Sequence, residues 1–141
     1  MSVVGKLAAA LILGVIGCIV FGTLVGLATA GNANPSPMFM FGGIAVAAVI
    51  AFTASNARSA WARLFFANGV GSLLLPLALL AGAPALVSKS AYMAGGSQAA
   101  TAGAAIGATV AGGVTVMVAI FLAAIFLVFA FVLRDKSAKA G

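Results

Sequence analysis

The chain has 141 residues, of which 65% are hydrophobic and 6% charged; seven Lys/Arg face a single acid, and there is no histidine. A soluble domain carries about a quarter charged residues, so this composition argues against a water-soluble fold and predicts a polypeptide lying almost wholly within a bilayer. The net charge of +6 is scattered singly between apolar runs. It forms no basic face for a nucleic acid and reads instead as anchors at anionic lipid head groups.

The first apolar run, LAAALILGVIGCIVFGTLVGLATA, predicts a span over 7–30. Lys6 before it and Ala28-Thr29-Ala30 at its end resemble a secretory signal, and Val15-Ile16-Gly17-Cys18 a lipoprotein box. A signal core is about 7–15 residues; this run is longer and continues past Cys18, so it reads as a retained helix. With one cysteine, no intrachain disulfide can form. The segment GNANPSP follows, where Pro35 and Pro37 predict an irregular path.

The second predicted span covers 38–55. NARSAWAR then reads as a short polar turn holding Arg58, Trp61 and Arg63, with Trp61 suited to the head-group level. The third span is predicted over 64–87, kinked at Pro76 and broken at Gly82-Ala83-Pro84. Asn68, one turn inside it, is expected to bond another helix or to stay near the interface. The loop VSKSAYMAGGSQ carries Lys89 and Tyr92.

The last uncharged stretch, 99–133, would be about 52 Å long as a helix, against a hydrocarbon core of about 30 Å. Its second part, 113–133, is strongly lipophilic and is the predicted fourth span. The Ala/Gly-rich part, 99–112, reads as a helical extension, hinged near Gly112-Gly113 or packed against protein. In the tail RDKSAKAG, Asp135 is expected to pair with its basic neighbours.

The fold class predicted is therefore all-α: a single integral membrane domain over 1–141, a four-transmembrane-helix bundle with short loops. With four spans, Lys6, Arg58, Arg63, Arg134, Lys136 and Lys139 share one face and Lys89 takes the other. The positive-inside rule then puts both termini in the cytoplasm, with a bacterial inner membrane as the expected location.

Small residues recur every fourth position: Ala10, Gly14, Cys18, Gly22, Gly26 and Ala30; Gly43, Ala47, Ala51 and Ser55; Ala99, Gly103, Gly107, Ala111, Thr115, Ala119 and Ala123. Gly22–Gly26 and Gly103–Gly107 are literal GxxxG motifs. Small side chains let membrane helices approach closely, so that dispersion and weak Cα–H···O contacts hold them together. Gly14, Cys18, Gly22, Gly26, Gly103 and Gly107 are the candidate contact residues, for docking another subunit or for packing within the chain.

Catalytic chemistry finds little to work with. Metal and haem sites need clusters of His, Cys or carboxylate. Nucleophilic catalysis needs a base beside the nucleophile, and Cys18 lies among apolar residues with none in its run. Ion-coupled transport uses an ionisable group within the membrane, and none of the charged residues falls clearly inside a span. Ala94-Gly95-Gly96-Ser97 lacks the context of a phosphate loop. The expectation is a non-enzyme with no metal and no cofactor: an accessory or assembly subunit of a larger membrane complex. Its partners would be other integral membrane subunits or copies of itself, together with lipids, and no nucleic acid. A self-associating channel or holin-like pore is the alternative, and a binder of an apolar ligand (lipid, quinone or carotenoid) the third.

Overall fold

The computed structural model describes residues 2–29 and 37–138, with the side chains of 3–29 and 37–134. Within these bounds the chain forms four helices, α1 (Ser2–Ala28), α2 (Pro37–Phe52), α3 (Ala57–Met93) and α4 (Gln98–Ala138). Three are long and apolar enough to cross a membrane, Val3–Ala28, Ala57–Met93 and Gln98–Arg134; α2 is a shorter apolar helix of 16 residues. Of the irregular path expected over 31–37, residues 31–36 lie outside the described residues and Pro37 is instead the first residue of α2, where its fixed φ suits a helix start. The pairing expected of Asp135 also lies outside the described residues.

The helix directions follow from the contacts. Lys6 donates from Nζ to the Ala54 carbonyl, and Cys18 Sγ bonds the Met40 carbonyl at 3.5 Å, so α1 and α2 run antiparallel. Trp61 Nε1 donates to the Gly5 carbonyl at 3.2 Å and Asn68 Nδ2 to the Leu13 carbonyl at 3.2 Å, which makes α1 and α3 parallel. Phe65 stacks on Phe129 with ring centroids 5.5 Å apart and meets Phe126 at 6.0 Å, near the far end of α4. The first turns of α1, the α2–α3 turn and the end of α4 thus gather at one end. The core begins there, with Ala9, Leu13, Ala47, Ala51, Ala60 and Leu64.

The buried face of α3 is written at spacings of four and three: Ala60, Leu64, Asn68, Ser72, Leu75, Ala78 and Gly82. This is the seam expected of a helix packed at a shallow angle. Most other large apolar side chains, such as Phe41, Leu80, Phe121 and Val128, are exposed, as a bilayer-facing surface permits.

Several boundaries differ from the sequence expectation, α1 starting at Ser2 and α2 ending at Phe52 among them. The turn predicted at NARSAWAR is helical, because Asn56 caps α3 by accepting from the Ser59 N–H at 2.8 Å. The break predicted at Gly82-Ala83-Pro84 is absent, and α3 runs on to Met93 with Pro76 and Pro84 inside it. Its end is set instead by Gly95 and Gly96, at φ 96° and 68°. Their N–H groups return to the Tyr92 and Ala91 carbonyls at 3.1 and 2.9 Å, a Schellman closure that glycine makes without strain. α4 starts at once, Ser97 Oγ accepting from the Ala100 N–H at 3.1 Å, and passes through Gly112-Gly113 as unbroken helix. The expected 12-residue loop is therefore a four-residue turn over 94–97.

Candidate functional site

The six candidate contact residues fall into two groups. Gly14 and Cys18 are buried against α2. A Cβ on Gly14 would stand 3.0 Å from the Ala47 Cβ, and one on Gly43 would collide with the Cys18 sulfur. Gly14, Cys18, Gly43 and Ala47 therefore form one tight internal crossing, and Gly22 is buried on the same helix. Gly103 and Gly107 lie in the opposite situation. Both are exposed, and a Cβ on either would meet nothing within 4 Å. Gly26, half-buried, is open in the same sense.

Helix geometry explains the division. Residues turn by about 100° each, so a step of four overshoots one turn by about 40°. Over the 16 residues from Gly103 to Ala119 the stripe has swung about 160°. Ala119 and Ala123 are accordingly about 1% exposed and face the core, while Gly103 and Gly107 point away from it. One repeat in the sequence is two surfaces in space.

A polar seam runs through the interior. Asn68 is 2% exposed; its Nδ2 donates to the Leu13 carbonyl and, at 2.9 Å, to the Leu64 carbonyl of its own helix. Both partners are acceptors, which fixes the amide orientation. Its Oδ1 finds no hydrogen-bond partner and lies against Gly17, where a Cβ would sit 3.3 Å away. Ser72, one turn on, is fully buried with an unpartnered hydroxyl. Gly17 and Ser72 escape the small-every-fourth pattern. The polarity of Asn68 was their only signal, since a buried amide needs a close, small neighbour.

At the other end, α1 stops while α3 and α4 continue. Gly82 marks the boundary: the Leu27 carbonyl occupies the place its Cβ would take. Beyond it lies an apolar groove of about 800 Å³ whose lining includes Leu27, Leu80, Ala83, Leu86, Gly107 and Ala108. Among the described residues no group of three or more His, Cys, Asp or Glu could hold a metal. The polar residues in the groove's lining are Ser90, Thr109 and Thr115. Comparison with protein families, curated proteins and solved structures finds no match to this chain.

Proposed function

We propose that this protein is a non-catalytic subunit of a larger membrane complex, acting as a packing scaffold for another integral membrane chain. In this reading all four helices cross the bacterial inner membrane and both termini are cytoplasmic, as the distribution of basic residues suggests.

The observation that carries the proposal is the length of the α3–α4 hairpin together with what it leaves bare. α3 has 37 residues, about 55 Å of helix. At an average tilt of about 20° it covers about 52 Å along the membrane normal, against about 40–45 Å for a bilayer with its head groups. Part of the hairpin therefore stands outside the lipid. The excess of about 7–12 Å is about the last five to eight residues of α3 and as many at the start of α4, and there Tyr92 and Met93 are 84% and 78% exposed, beside the open Gly103. Bare apolar surface beyond the membrane favours a protein partner, and the small residues would admit a helix backbone closely.

The test replaces Gly103 and Gly107, singly, by Ile, with Val128→Ile at the other end as control. Expected is normal membrane insertion for all three, with recovery of co-purifying membrane subunits lost only for the glycine variants. Unchanged recovery in both would refute the docking role. A pure homo-oligomer that conducts in liposomes would replace it with the pore. Orientation is read with Ser59→Cys and Ser90→Cys in a Cys18→Ala background. Labelling of position 90, and not 59, from outside the cell is expected; the reverse pattern overturns the assigned topology.

A further inference from the structure

We propose that the cleft between the start of α3 and the end of α4 binds an anionic phospholipid, its phosphate held between Arg63 and Arg134 and its acyl chains lying along Phe66 and Phe131. The cleft is about 550 Å³ and is lined by Ser59, Ala62, Arg63, Phe66, Ala130, Phe131 and Arg134.

Its two levels follow from the antiparallel helices. On α3, which enters the bundle at this end, Arg63 precedes Phe66 by three residues. On α4, which leaves here, Phe131 precedes Arg134 by three. Residues three apart share a helix face. Each helix therefore sets a phenyl ring toward the membrane interior and a guanidinium toward the surface, and the two helices repeat that order across the cleft. Phe66 and Phe131 are 50% and 53% exposed, so the rings form an open apolar wall rather than core.

The chemistry selects the ligand. A guanidinium fork matches phosphate oxygens in a bidentate way that an ammonium does not. The first turn of α3, with Ser59, adds a positive dipole end to the same mouth. A chain with seven Lys/Arg and one acid cannot neutralise these bases internally, so an external anion is favoured. A free anion would use the arginines and leave the phenyl wall bare; a lipid uses both. Basic pockets between membrane helices hold anionic head groups on this principle. The inference requires this end to lie at a head-group layer, and it is independent of the partner proposed above.

The experiment is native mass spectrometry of the full chain from micelles containing equal phosphatidylglycerol and phosphatidylcholine, with Arg63→Gln, Arg134→Gln, the double variant and Lys89→Gln at the opposite end. Expected is retention of phosphatidylglycerol over phosphatidylcholine by wild type. The ratio should fall about fivefold with each arginine variant, reach unity in the double variant, and be unchanged for Lys89→Gln. Excess inorganic phosphate should leave the retained lipid in place. No preference in wild type overturns the proposal. So does an equal fall with Lys89→Gln, which would mean diffuse charge, or displacement by phosphate, which would mean a simple anion site. Arg63→Lys and Arg134→Lys guard against misfolding: they keep the charge, and a ratio between those of wild type and glutamine is expected, whereas full retention would refute the fork.

Discussion

The two ends of the molecule differ in sequence, the far end of α4 being Ala/Gly-rich and its other end strongly lipophilic, and they are held in different ways. At the end where α1 begins, four helices meet. Lys6, Trp61 and Asn68 each bond a carbonyl of another helix or of the α2–α3 turn, and Trp61, Phe65, Phe126 and Phe129 form a continuous ring contact from α3 to α4. At the far end, among the described residues, α3 and α4 continue beyond the other helices. Tyr92, Met93, Ile106 and Val110 are all well exposed there, and the turn is closed by its own backbone. The difference teaches that a long apolar helix is not equally committed to its own fold along its whole length. Without a hydrophobic drive between helices in lipid, stability goes where backbones approach and polar groups find partners.

The sharpest break of this contrast lies at its boundary. Gly82→Ala should destabilise the purified protein by about 3 kcal/mol, because the Leu27 carbonyl already fills the space of the new methyl group and backbone cannot swing aside as a side chain can. Unfolding in mixed detergent micelles would measure it; a change near zero would mean that α1 and α3 separate there freely. Asn68→Ala, within the packed end, should cost about 1–2 kcal/mol through the lost inter-helix bond and the void it leaves. The same measurement checks it, and a gain in stability would show that the unpartnered Oδ1 outweighs the bond to Leu13. Gly107→Ala, at the far end, should have the smallest effect and the opposite sign. It enters open space in a helix interior and should stabilise the isolated chain by about 0.5 kcal/mol. A destabilisation comparable to that of Gly82→Ala would abolish the distinction between the two ends.

Much of the helical layout was legible because each long apolar run had to become a helix to satisfy its backbone in lipid. For Asn68 the sequence left two places open, a bond to another helix or a position near the interface, and the amide takes the first, donating to the Leu13 carbonyl. The helix ends were not legible. Pro84 read as a break, but in α3 the chain continues past it, with Ser88 Oγ donating to the Pro84 carbonyl at 2.9 Å. The true stop needed two residues at positive φ, which Gly95-Gly96 supplies. The small-residue stripes were visible as a repeat, but the spacing alone does not say which members a chain keeps for itself. That depends on rotation about the axis and on where neighbouring helices end. Gly17 and Gly82 stand outside the repeat altogether; their importance comes from an amide and a carbonyl on other helices, and no local pattern records it.

The four-residue repeat of α4 also has a handedness. A hydrophobic period below 3.6 winds helix partners to the left, and one above it winds them to the right. A period of four therefore favours steep right-handed crossings, near −40° for close small-residue contacts. Helices crossing so steeply touch over only a couple of turns before they diverge. A neighbour seated on Gly103 and Gly107 would be leaving α4 well before Ala119, where Val20 and Leu75 already hold the same helix from the other side. α4 can thus be read as a spindle: one winding thread of small residues, with its lower turns engaged by its own chain and its upper turns the place where the proposed partner helix would wind on.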